Sequence, residues 1–238
     1  GKVKSSGTEI TGLTSGTEYT FLIKSVDDDG NTSDGVTITL TPGVELIAFD
    51  YKVSSSNYDI IYTDPDGDEW INITETSTTD EYHPSWSPDG LKVAYVYDDG
   101  TDSEIYTMSC EGGSNTQLTN NSYNELYPAW SPDGTKIAFC SDEDGDYEIY
   151  VMKADGTNVT QLTANDDVEL EPAWSPDGNT LFFASNRGGN YDIYSKNASG
   201  TGSAINITDS YYSSSNPQVS PSGTKVVFNQ NDQIYKID

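Results

Sequence analysis

The segment Trp-Ser-Pro-Asp-Gly begins at Trp86, Trp130 and Trp174, 44 residues apart each time. A worn copy, Val219-Ser-Pro-Ser-Gly223, follows 45 residues after Trp174. A fixed period in this range restricts the fold more than any composition does. Each repeat is one small unit that cannot bury its own apolar face, so neighbouring units must stack to build the core. The segment is itself a turn. Pro presets φ at the second position, Ser and Asp favour the bend, and Gly accepts the positive φ that closes a hairpin. Each copy therefore joins two antiparallel strands, with a Trp ending the first.

The clearest unit covers residues 125–168. Residues 126–130, 136–140, 148–152 and 159–163 read as four short strands. A polar hairpin, Asp142-Glu-Asp-Gly-Asp146, separates the second from the third, and the turn Ala154-Asp-Gly-Thr157 follows. Four strands per repeat of this length is the size of a propeller blade. Tyr106, Tyr150 and Tyr194 recur at 44, and Tyr62 precedes Tyr106 by the same count. Ile73-Thr74, Leu118-Thr119, Leu162-Thr163 and Ile207-Thr208 mark the fourth strands. In the first unit, Leu40 to Phe49 falls on Trp130 to Phe139, with the Trp and turn worn away. The last unit, residues 216–238, stops after three strands. Strands two and three read Lys136-Ile-Ala-Phe-Cys140 and Glu148-Ile-Tyr-Val-Met152. Such nearly continuous apolar runs suit a sheet covered on both faces. Trp86, Trp130 and Trp174 are expected to wedge between adjacent sheets. The expected fold is all-β: a β-propeller of about five four-stranded blades over residues 43–238, its first and last blades degenerate or incomplete.

Pro128-Ala-Trp-Ser-Pro-Asp-Gly134, Ile137-Ala-Phe139, Glu148-Ile-Tyr-Val-Met152 and Gln161-Leu-Thr163 closely resemble the TolB-type, WD-like propeller repeat. The resemblance implies a fold rather than an activity, since the same repeat serves scaffolds, peptidase gating domains and sugar-cleaving lyases.

Residues 1–42 read differently. Residues 8–13, 19–26 and 36–40 alternate apolar and polar side chains, the half-buried strand pattern. The line from Ile10 through Leu13 and Tyr19, with Gly30-Asn-Thr-Ser33, resembles the C-terminal half of a fibronectin type III domain. Three strands cannot bury a sandwich core alone, so upstream strands or another cover is expected. A second reading stays open: Gly7-Thr-Glu-Ile-Thr-Gly-Leu-Thr14 matches Gly156-Thr-Asn-Val-Thr-Gln-Leu-Thr163, which would make the N-terminus a strand closing a ring.

Of the 238 residues, 39 are acidic and 11 basic, a formal charge of −28. Such a surface repels nucleic acid and anionic lipid and attracts cations or basic partners. It also keeps a secreted or salt-adapted protein soluble. No stretch of 18 apolar residues offers a membrane span, no stretch reads as a signal peptide, and Gly1 points to a processed or truncated chain. Cys110 and Cys140 are expected on opposite rims, about 17 Å apart. That is too far for a disulfide, so both are read as free thiols.

Three sets of candidate residues emerge. Asp142, Asp144, Asp146 and Glu148 carry oxygen ligands at alternating positions, the donor chemistry of Ca²⁺, and Asp64-x-Asp-Gly-Asp-Glu69 repeats the pattern. A solvated hairpin built from turn-forming Asp and Gly would carry the same residues without any ion. Glu81, Glu125 and Glu169, each five residues before its Trp, are expected to form an arc of carboxylates at the mouth of the central channel. The tryptophans are structural. His83 is the single histidine, which excludes a His-based metal triad, and Gly-x-Ser-x-Gly is missing. Apart from Ca²⁺, no cofactor is expected, and neither is catalysis. The expected role is an extracellular or cell-surface binding scaffold, periplasmic in a Gram-negative source, meeting protein or glycan partners at its rims. One alternative is a structural subunit assembled through open strand edges. Another is the propeller of a larger enzyme or sensor.

Overall fold

The computed structural model describes residues 46–53, 57–63, 70–231 and 233–237, and the backbone of residues 19–23 and 36–40. The chain divides into two compact units, Gly1–Glu45 and Leu46–Asp238. In the first, β1 (Tyr19–Ile23) pairs antiparallel with β2 (Val36–Leu40). The third strand expected of a fibronectin-like segment, residues 8–13, lies outside the described residues. So does the acidic stretch 64–69.

The second unit is five antiparallel sheets in chain order. Sheet one holds β3 (Ile47–Lys52), β4 (Tyr58–Thr63) and β5 (Trp70–Asn72). Sheet two holds β6 (Asp80–Trp86), β7 (Lys92–Asp98), β8 (Ser103–Ser109) and β9 (Asn115–Gln117). Sheet three holds β10 (Glu125–Trp130), β11 (Lys136–Ser141), β12 (Glu148–Lys153) and β13 (Thr160–Gln161). Sheet four holds β14 (Glu169–Trp174), β15 (Thr180–Ser185), β16 (Asp192–Asn197) and β17 (Ile205–Asn206). Sheet five holds β18 (Ser214–Val219), β19 (Val226–Gln230) and β20 (Gln233–Ile237). This is a five-bladed propeller. Among the described residues, sheet one lacks an innermost strand and sheet five an outermost one. Successive sheets pack on one another. No described helix is long and apolar enough to cross a membrane.

The turn chemistry is as its residues dictate. In Ser131-Pro-Asp-Gly134, the Gly134 amide donates to the Ser131 carbonyl at 2.9 Å, and Ser131 Oγ donates to Asp133 Oδ1 at 2.6 Å. Hydrogen bonds from Ser131 and Thr135 hold the Asp133 carboxyl down at about 2. Gly134 has φ 69°, and a Cβ there would lie 3.3 Å from Pro88 of the preceding turn. Successive turns therefore sit close together, a proximity the sequence period does not reveal.

Alternation along each strand builds the core. Ile137 and Phe139 of β11 face back onto Ala94, Val96 and Ile105 of sheet two. Their neighbours Ala138 and Cys140 face forward into a cluster with Trp174, Leu181 and Phe183 of sheet four. Both faces are buried, as the apolar runs predict. The tryptophans join these layers. Trp86 packs with Tyr62 of sheet one, Trp130 with the layer between sheets two and three, and Trp174 with that between three and four. Fourth strands are short because a side chain takes over from the backbone. Thr74, Thr119, Thr163 and Thr208 each accept at Oγ1 from an Ile amide of the third strand, that of Ile60, Ile105, Ile149 or Ile193.

That register corrects one spacing. Tyr106, Tyr150 and Tyr194 lie opposite Gln117, Gln161 and Asn206, but the residue opposite Asn72 is Ile61. The first blade is offset by one residue, so Tyr62 takes the other face and meets Trp86. A one-residue slip exchanges the faces of a strand.

Candidate functional site

The innermost strands β6, β10, β14 and β18 border a cavity of about 700 Å³. In β10, β14 and β18 a β-bulge interrupts pairing just before a Pro, and β6 shifts register at the same place. The residue preceding that Pro is His83, Tyr127, Glu171 or Asn216, with φ of 53°, 54°, 59° and 51°. A left-handed conformation costs a non-glycine residue about 1–2 kcal/mol. The bulge accepts that strain to turn one side chain per blade into the cavity. Four equivalent positions thus present an imidazole, a phenol, a carboxyl and an amide.

These groups are held by one another. The His83 ring stacks on Tyr127, centroids 3.9 Å apart and planes 24° apart. Burial lowers the His83 pKa, so the ring is uncharged at neutral pH, and its Nδ1 is buried without a hydrogen-bond partner. Burial raises the Glu171 carboxyl, although the Asn216 amide donates to its Oε2 at 2.5 Å. Burial pushes the Tyr127 phenol up to about 12. Neighbouring inner strands are also tied directly: Trp174 Nε1 donates to the Ala129 carbonyl at 3.0 Å, and the Trp130 amide to Ser85 Oγ at 3.2 Å.

The expected arc of carboxylates lies elsewhere. Glu81, Glu125 and Glu169 are 0%, 1% and 0% exposed, so they line no open mouth. Each sits at the start of its inner strand, enclosed between sheets. Ser141 Oγ donates to Glu125 at 2.9 Å and Ser185 Oγ to Glu169 at 2.6 Å, while Thr76 and Thr79 donate to Glu81. A carboxylate given hydroxyl and amide donors can be buried, and charge alone does not reveal the donors.

The metal candidates divide. Asp144, Asp146 and Glu148 bring one oxygen each to within 4.8 Å of one another. Asp146 Oδ2 is buried and without a donor, and burial with nearby Asp144 raises its pKa. Asp142 is used otherwise: it accepts from the Asn124 amide at 2.7 Å and side chain at 2.8 Å, tying the hairpin to the start of β10. Cys110 is half-buried, Cys140 buried, and both are free.

Residues 45–238 match the family described as the TolB beta propeller domain. The chain belongs to the TolB beta-propeller family. The fold agrees with TolB from Acinetobacter baumannii, at 23% identity and a TM-score of 0.70 over 88% of this chain. The match spans 59% of that protein's length. A candidate TolB from Agrobacterium tumefaciens matches at 25% identity and a TM-score of 0.68, over 93% of this chain and 77% of its own. A puromycin hydrolase is similar at 14% identity and a TM-score of 0.64, over 84% of this chain and 35% of its own. The TolB propeller frame accounts for the repeated walls but not for the four unlike groups in the cavity. The sequence places His83 at the entry to its first strand, in the position of Tyr127, and reads it as a rim residue. The full set stays hidden because the types differ, although each precedes a Pro at 44- or 45-residue spacing.

Proposed function

We propose that this TolB-family propeller is a non-catalytic protein-binding module acting outside the cytoplasm, and that its partner is read at the axial cavity. The carrying observation is the set His83, Tyr127, Glu171 and Asn216: one backbone position, strained alike in four blades, with four different chemistries. An invariant wall needs no such variety, whereas recognition of a shaped ligand does. The stacked, uncharged His83 supports binding over proton transfer. The charge of −28 favours a basic or amide-rich protein segment over an acidic one. Glycan contact at the rims is the finer alternative. A periplasmic site is proposed for a Gram-negative source, and a fibronectin-like role for residues 1–42.

Fluorescence titration with lysine-rich, neutral and glutamate-rich peptides tests this at low and high salt. Saturable, salt-sensitive binding of basic peptides, weakened at least about tenfold by joint His83→Ala and Glu171→Gln substitution, is expected. Binding that ignores those substitutions would refute the reading.

Two secondary readings each have an observation behind them. The Asp144, Asp146 and Glu148 cluster is proposed to take Ca²⁺; calorimetry on EDTA-stripped protein should give saturable heat, and no heat would end the idea. The outer edge of sheet five is β20, where Ile234 is 79% exposed, which favours self-assembly through that edge. Sedimentation independent of concentration would exclude it.

A further inference from the structure

Carboxyls meet at successive sheet junctions; an Asn bridges the pair at two of them, and the remaining partners differ. Between sheets one and two, the Thr76 hydroxyl lies 3.1 Å from Asp59 Oδ1 and 2.8 Å from Glu81 Oε2. Between three and four, Asn165 bonds both Glu148 and Glu169, and Arg187 reaches Glu169 at 3.0 Å. Between four and five, the inner-strand position is Ser214, which accepts from Gln230. Between two and three there is neither arginine nor replacement. Glu104 and Glu125 are 5% and 1% exposed. Asn121 draws them together, its amide donating to Glu104 Oε1 at 2.6 Å and its side chain to Glu125 Oε1 at 3.1 Å. The remaining oxygens, Glu104 Oε2 and Glu125 Oε2, are both buried without a donor. The residue matching Arg187 in this repeat is Glu143.

We propose that Glu104 and Glu125 share one proton across the junction of sheets two and three, and that this proton seats β10, and with it Tyr127, against His83. Two ionised carboxyls facing each other out of water repel and leave both lone oxygens unsatisfied. One proton removes a charge and makes a charge-assisted O–H···O bond between them. Among the described residues, the surroundings offer no cation. The groups that face the pair are Asn121 and Ser141, the phenols of Tyr147 and Tyr150 beside Glu125, and Tyr106 and Asp102 beside Glu104. Burial, then the neighbouring Glu104, pushes Glu125 up to about 8. In an unfolded chain the same carboxyl gives up its proton at about 4.3. The stabilisation is therefore full below that ordinary value and is lost as pH rises through about 8.

Glu125→Gln tests this, because its amide donates permanently to Glu104 while its carbonyl still accepts from Asn121 and Ser141. Other acids also titrate, so the readout is the difference between variant and wild-type melting midpoints. Near-equal midpoints at about pH 5 and a variant several degrees more stable at about pH 9 are expected. The His83 ring proton resonances should move with the same transition in wild type and not in the variant. A constant difference across pH would overturn the proposal. Burial, then Glu169, also pushes the Glu148 carboxyl up to about 8, so should the Glu125 variant not fold, difference infrared spectra of Glu148→Gln protein, which lacks that second carboxyl, give another test. A protonated-carboxyl band lost as pH rises through the same range supports the shared proton; a band missing near neutrality overturns it.

Discussion

The walls between blades and the lining of the cavity obey opposite rules. At the walls, blades two to four keep equivalent identities, Glu81, Glu125 and Glu169 with the three tryptophans, where blade five has Ser214 and Val219, and four threonines accept from an Ile amide. In the cavity, the four bulge positions share a strained backbone but not a side chain, although the Pro after each, with Trp130 and Trp174, also lines it. Repetition marks what the sheet stack requires. Variation at a position the backbone holds fixed marks what the stack leaves free, and there a ligand can be read.

Wall residues should not be replaceable. Trp130→Ala should remove about 3–5 kcal/mol of stability, measured as the shift in urea midpoint at constant slope. Gly156→Ala is next. Gly156 has φ 83°, and a Cβ would lie 2.7 Å from the Leu118 carbonyl, so a loss above about 1 kcal/mol is expected in the same assay. Thr163→Val leaves the buried Ile149 amide without its acceptor and should lose about 1–3 kcal/mol. At the other extreme, Tyr127→Asn suits the left-handed backbone better but loses the His83 stack, so its effect should stay at about 0.5 kcal/mol. Hydrogen exchange of the β10 amides would sharpen the contrast, with wall variants raising exchange and cavity variants leaving it unchanged.

A pH scan separates the two regions again. The folded-state pKa of His83 is depressed by burial, so below the ordinary histidine value of about 6.5 the unfolded state binds the extra proton. The His83 contribution is therefore present above that value and lost as pH falls. The proposed wall proton acts in the reverse sense. His83→Gln should flatten the acid limb of the melting curve and leave the alkaline limb intact.

Much of the fold was legible in residue order. Trp130 and its turn set the period, and the paired apolar runs of β11 and β12 predicted sheets covered on both faces. Burial of charge was not legible. Glu125 reads as solvated until Ser141, at the end of an apolar strand, and Asn121 are seen to donate to it. Tyr62 was misplaced because a constant count of 44 hides a single-residue offset in the first blade. Of the cavity residues, His83 and Tyr127 read as equivalent rim positions, but unlike side chains hid the set of four, whose shared signal is the Pro that follows each.

The most direct test uses the double variant His83→Ala, Glu171→Gln, with unfolding and basic-peptide binding measured on the same preparation. Stability should stay within about 0.5 kcal/mol of wild type while affinity falls at least about tenfold. A loss of stability comparable to that of Trp130→Ala, or an unchanged affinity, would contradict the division between wall and cavity.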